Sequence, residues 1–198
     1  MMARLSLSGL IVLATLVGPL AGCGDEPPRQ TFADLRFTNE PPLRLGVASL
    51  DINDEYRPNF DPPHYEQRMP IPLPHIADNW ARDRLQPAGT SGRAVAVVTD
   101  ASVVEINLPK QTGLSATFTN QLDTQYEARV GIRIELRDDR GGSMHMAEGH
   151  AERSITLVEG TTLAERDRML YRMETELMAD LDRQLEAQIR TNFSYLVR

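Results

Sequence analysis

One run of twelve residues constrains the fold more than any other part of the chain. From Tyr126 to Arg137, Tyr126, Ala128, Val130, Ile132, Ile134 and Leu136 alternate with Glu127, Arg129, Gly131, Arg133, Glu135 and Arg137. A strict period of two places every apolar side chain on one face of an extended strand and every charge on the other. Such a strand belongs to a sheet with one covered and one uncovered face, which is a habit of antiparallel sheets. Asp138-Asp139-Arg140-Gly141-Gly142 follows and reads as a hairpin turn. Ser143–Leu157 then returns as the partner strand, with Ala147, Gly149, Ala151, Ile155 and Leu157 on one parity.

The covering layer comes next in the chain. Thr162-Leu163-Ala164-Glu165 has the form of a capping box. Leu170, Met173, Leu177, Leu181, Leu185 and Ile189 then recur every three or four residues, while Asp167, Arg168, Glu174, Asp180, Arg183 and Glu186 fall on the side expected to be wet. A helix of roughly 27 residues spans about 40 Å and must cross most of a sheet.

All 13 prolines lie between Pro19 and Pro109, so the front of the chain is rich in loops. Leu43–Ile52 reads as a first strand, interrupted only by Gly46. Asn53–Leu73 is a long proline-rich loop, a kind that tends to be functional or mobile. Two readings stand for it: an ordered wrap along a sheet edge, or a partner-binding arm that presents Tyr56, Phe60, Tyr65 and Met69. Pro74 opens a short helix to about Gln86, with Ile76, Ala77, Trp80, Ala81 and Leu85 along one stripe and Trp80 as a core anchor. Arg93–Thr99 is a β-branched strand continuing through Val103–Ile106, and Asn107–Asp123 is a connection that carries Leu114 and Phe118. The order is β-α-β-β-β-α. The expected fold is α+β: a two-layer sandwich with a four-stranded, mainly antiparallel sheet and two helices on one face.

The N-terminus has a different character. Arg4 is the only charge before residue 23, Leu5–Val17 is apolar or small, and Leu20-Ala21-Gly22-Cys23 ends the stretch with the only cysteine of the chain. The stretch falls short of the ~20 apolar residues that span a bilayer and reads as an export signal. Leu20-Ala21-Gly22-Cys23 resembles the lipobox of bacterial lipoproteins. The resemblance implies cleavage before Cys23, acylation of that residue, and a lipid-anchored address facing the periplasm. Gly24, not aspartate, follows the cysteine, which implies the outer membrane ahead of the inner. The expected organisation is a signal over residues 1–22, a lipidated tether over 23–42, and a single domain over 43–198.

Charge and chemistry exclude several classes. The 198 residues carry 21 Lys+Arg against 28 Asp+Glu, and removing Arg4 with the signal leaves 20 against 28, or −8. That is the wrong sign for a nucleic-acid binder. The histidines are His64, His75, His145 and His150; the last two are five apart in a strand, so they face opposite sides and make no metal pair. No nucleophile–base set can be assembled, because Cys23 is committed to lipid. We therefore expect no catalytic residues, no cofactor and no metal. Met144, Met146, Met169, Met173 and Met178 suit adaptable apolar contact.

The lipobox, the tether, the opening Pro42-Leu43-Arg44-Leu45-Gly46-Val47, the proline-rich loop, the Trp-bearing helix, the Tyr126–Leu157 hairpin and the final amphipathic helix together resemble the ABC-type transport auxiliary lipoproteins. The LPS-assembly lipoproteins have a related two-layer shape. The resemblance implies a non-enzymatic accessory subunit of an envelope transport system. Its partners would be the membrane, through N-terminal acyl chains, and a membrane protein, either transporter or barrel. An outer-membrane assembly factor and a lipid or small-ligand carrier are the alternatives.

Overall fold

The computed structural model describes residues 30–109 and 122–193. Cys23 with its lipobox Leu20-Ala21-Gly22, and Leu114 and Phe118, lie outside the described residues. The elements run β1 (Leu43–Leu45), β2 (Ser49–Asp54), a 3-10 turn (Glu66–Arg68), α1 (Leu73–Arg84), β3 (Leu85–Pro87), β4 (Arg93–Asn107), β5 (Leu122–Arg137), β6 (Ser143–Val158) and α2 (Leu163–Asn192). The fold is α+β. A four-stranded sheet in the order β2-β4-β5-β6 carries α1 and α2 on one face.

The sheet is mixed. β2 runs parallel to β4, while β4-β5 and β5-β6 are antiparallel. The alternation of β5 is realised without exception in its core half: Tyr126, Ala128, Val130, Ile132, Ile134 and Leu136 are all buried. β4 faces them with Ala94, Ala96 and Val98, then with Ala101 and Val103. The parity changes because the register slips between Val98 and Asp100. This bulge inserts one residue and lets a single strand of 15 residues keep an apolar face on both sides of it.

α2 lies over β5 and β6, antiparallel to β6, and α1 lies over β2 and β4. Every stripe residue of α2 from Leu170 to Ile189 is buried. Thr162 caps the helix by accepting from the Glu165 N–H at 3.2 Å. α2 also protects the outer edge of β6, where Gln184 Oε1 accepts from the His150 N–H and Asn192 donates to the Met146 carbonyl at 3.0 Å. Bonding the edge in this way removes a template for unwanted strand pairing.

Three expectations are corrected. Leu43–Ile52 is not one strand. β1 pairs in parallel with β3 in a separate two-stranded sheet, the chain kinks at Gly46–Ala48, and β2 then enters the main sheet. The kink is imposed by a backbone crossing, because a Cβ on Gly89 would lie 2.4 Å from the Gly46 carbonyl carbon. Second, the first helix stops at Arg84, and Leu85-Gln86-Pro87 becomes β3, whose Leu85 packs opposite Leu43. Third, the stretch read as tether is packed over much of its length. Phe32, Leu35 and Phe37 lie against the core, and the contacts below tie residues 33–41 to both helices.

The long loop is the ordered wrap. Tyr65 donates its N–H to the Val103 carbonyl at 2.8 Å, the Glu105 N–H donates to Pro63 at 2.8 Å, and His64 bridges to Val104. The loop therefore extends the sheet along the half of β4 that β2 leaves unpaired.

Candidate functional site

Two surfaces and one buried hub make up the features that could serve a function. The first surface is the sheet face that no helix covers. The outward residues of β5 and β6 form an ion-pair lattice across it. Arg133 reaches Glu135 at 3.0 Å and Glu55 at 3.2 Å, Arg137 reaches Glu135 at 2.6 Å, and Arg129 reaches Glu152 at 3.1 Å and Glu127 at 3.3 Å. The Arg137 hydrogen bond holds the Glu135 carboxyl below its usual range, and Arg129 does the same for Glu152. Val95 and Val97 of β4 lie in this face and are nevertheless buried, opposite Glu135 and Arg133 in the register. Arginine stems can cover apolar surface while their heads stay wet. At the turn end of the hairpin, Met144 and Met146 are about half exposed.

The second surface is the strap of residues 30–42 across the helix layer. Phe32 stacks on Tyr171 of α2 with centroids 4.9 Å apart, and the Tyr171 hydroxyl donates to the Ala33 carbonyl at 3.1 Å. Asn79 of α1 donates to Asp34 at 3.1 Å and to the Leu35 carbonyl at 3.2 Å. Arg36 pairs with Asp83, which also accepts from the Phe37 N–H at 2.9 Å. Between strap and α2 is an open groove of about 470 Å³, lined by Leu35, Phe37 and Met178 but also by Arg36, Asp182 and Arg183.

The hub closes the far end of the strap. Arg84 is buried and uses its whole guanidinium: Nε to Asp182 at 2.7 Å, one terminal nitrogen to Glu186 at 2.7 Å, and the other to the Pro41 carbonyl. Asp182 also accepts from Trp80 Nε1 at 2.7 Å. One side chain thereby joins α1, α2 and the strap. Trp80 is the expected core anchor, with its one polar atom satisfied.

The four loop residues offered to a partner do not share a surface. Tyr65 and Met69 are core residues; Tyr65 packs edge-on against Tyr126, with the Arg68 guanidinium 4.3 Å from its ring. They can present nothing to a partner. Phe60 is 75% exposed. Tyr56 is half-buried, and its hydroxyl donates to Glu66 Oε1, which His64 Nδ1 also meets at 3.1 Å. This Tyr–Glu–His set has the residue types of a catalytic group but the wrong poise. Burial, then the Glu66 hydrogen bond, pushes the Tyr56 hydroxyl well above its ordinary range. The set instead ties both ends of the loop together.

Sequence reasoning missed Arg84 and Glu174. Glu174, expected on the wet side of the last helix, is fully buried against the junction before α1. Neither of its oxygens finds a hydrogen-bond partner. Burial pushes its carboxyl up to about 8, while the nearby Ile71 N–H opposes the shift without satisfying the group. Among the described residues, no cluster of three or more His, Cys, Asp or Glu could hold a metal ion. No helix of the described residues is long and apolar enough to cross a membrane.

No family model matches the sequence, and no curated protein matches it. Two solved structures match this chain at low similarity. One is the rare lipoprotein B from Shewanella oneidensis, at 13% identity and a TM-score of 0.41, covering 73% of this chain and 96% of that one. The other is a minor lipoprotein from Acinetobacter baumannii, at 15% identity and a TM-score of 0.38, covering 72% and 93%. Likenesses this distant assign neither family nor activity.

Proposed function

We propose that this chain is a lipid-anchored, non-enzymatic docking subunit of a bacterial envelope transport system, acylated at Cys23 and facing the periplasm. The observation that carries the reading is the strap. It fastens the segment following Cys23 to the helix layer by stacking, hydrogen bonds and a buried arginine. The charged sheet face is left free on the opposite side of the body. The anchor thus holds one layer, and the other is a flat surface, four strands wide, suited to a macromolecule rather than a small ligand. Each acyl methylene contributes about 0.8 kcal/mol of membrane affinity, so two or three chains on Cys23 hold firmly.

Partner specificity would come from the Arg129, Arg133 and Arg137 lattice. Such charges act mainly on orientation and association rate. An outer-membrane setting follows the Gly24 position.

The experiment is affinity capture of the acylated protein from detergent-solubilised envelopes, in parallel with a charge-reversed Arg129→Glu/Arg133→Glu variant. Recovery of a permease, ATPase or barrel in stoichiometric amount, lost on charge reversal, is the expected result. Recovery of the protein alone would remove the docking role. Capture indifferent to charge reversal would place docking elsewhere on the body. The groove at Leu35, Phe37 and Met178 favours the carrier alternative, which predicts co-purifying lipid in the same preparation.

A further inference from the structure

The three long strands and the long helix of the body each have one end at the same pole. β4 ends there at Asn107, β5 begins at Leu122, β6 ends at Val158 and α2 begins at Leu163. The direction of the strap adds another fact. Ala33 meets Tyr171 in the third turn of α2, whereas Pro41 meets Arg84, which is bonded to Glu186 near the other end of that helix. The strap therefore runs in the direction of α2, and its N-terminal end lies nearer the Leu122–Leu163 pole than the Asp138–Gly142 turn.

That pole also carries exposed apolar side chains from both layers. Ile106, Leu122 and Val158 are 37, 54 and 38% exposed and come from three adjacent strands, with Leu122 and Val158 directly paired. Leu163, the first residue of α2, is 69% exposed. Large apolar side chains gathered at one tip mark a contact surface. Asp123 and Glu159 flank Leu122 and Val158, and Arg68 and Arg166 lie beside Ile106 and Leu163, with Arg68 paired to Glu105 at 3.6 Å.

Chain length says what the tip meets. Nine residue steps separate Cys23 from Phe32, at most about 30 Å of fully extended chain. The body is longer: the 30 residues of α2 span about 45 Å at 1.5 Å per residue. A tether that leaves the body nearer this pole brings it within reach of the bilayer more readily than the Asp138–Gly142 turn. We propose that the Ile106, Leu122, Val158 and Leu163 tip rests on the bilayer as a second, non-covalent lipid contact, inserting into the headgroup layer beside the acyl anchor. The inference rests on the lipid-anchor reading. It adds an orientation: the long axis stands on the membrane, and the charged sheet face is presented sideways along its whole length.

The test uses the acylated full chain. Because Cys23 is the only cysteine and its thiol would be lipidated, single variants Leu122→Cys, Leu163→Cys and Arg140→Cys accept an environment-sensitive fluorophore at one place each. Each is reconstituted into phosphatidylcholine–phosphatidylethanolamine vesicles containing nitroxide-bearing phospholipid, and flotation is measured before fluorescence. The expected result is flotation of all three, with labels at 122 and 163 quenched at least twofold more than the label at 140. Flotation with equal quenching at both poles overturns the tip contact and leaves the anchor intact. The same holds for a blue-shifted label that lipid nitroxide does not reach, which would mean that the chain itself or a second copy covers the tip. Failure to float overturns the anchor and the tip contact together.

Discussion

Glu174 keeps its proton in the folded protein up to about pH 8 and releases it near 4.5 when unfolded. The folded state therefore binds more protons than the unfolded state between those values, and stability from this group falls as pH rises through that window. Glu174→Gln removes the linkage while keeping the shape. Urea denaturation of wild type should lose a few kcal/mol between pH 5 and 8 relative to the variant; parallel pH profiles would show that the carboxyl is solvated or paired. Arg84 is the opposite case, a buried charge with a hydrogen bond from each of its three nitrogens. Arg84→Ala leaves Asp182 and Glu186 without their buried cation and should cost about 3 kcal/mol. A loss below about 1 kcal/mol in the same denaturation would contradict the hub. Neither residue was legible in the sequence, for a common reason. A charged residue beside an apolar stripe reads as solvated, and only the arrival of another element buries it: the α1 junction for Glu174, the strap and α2 for Arg84.

At the scale of elements, strict periodicity was readable and adjacency was not. β5 and α2 carry unbroken apolar patterns, β6 carries one interrupted at Arg153, and each forms where expected. β1 and β2 share one apolar run, so nothing but Gly46 marked the break; it depends on the backbone of Gly89, more than forty residues later. The strap reads as a tether because Pro41, Pro42 and polar residues dominate it, yet a few well-placed side chains fasten it. Helix-to-sheet packing depends on one small residue. A Cβ at Gly149 would lie 2.6 Å from Leu185 Cγ, so α2 approaches β6 more closely there than any side chain allows. Gly149→Val should lift α2 locally at a cost of about 1–3 kcal/mol. Faster amide exchange at His150, whose N–H bonds to Gln184, would register the lift. An unchanged exchange rate would show that the helix does not depend on this contact.

The whole molecule is a two-layer body strapped on one face and bare on the other. Its strapped layer holds the segment that follows Cys23, and its bare layer displays alternating arginine and glutamate. The period of β5 made that bare face legible from sequence, since it separated the charges before any fold was known. The asymmetry between the poles was not legible, because Ile106, Leu122 and Val158 come to one end only through strand register and Leu163 only through the turn into α2. Everything proposed at this scale depends on the lipid at Cys23. The most direct measurement is the intact mass and N-terminal peptide of the mature protein isolated from bacterial envelopes. The account predicts a chain beginning at Cys23 and carrying a diacylglyceryl group with an added acyl chain. A chain that retains Leu20-Ala21-Gly22, or that begins elsewhere with an unmodified thiol, would contradict it.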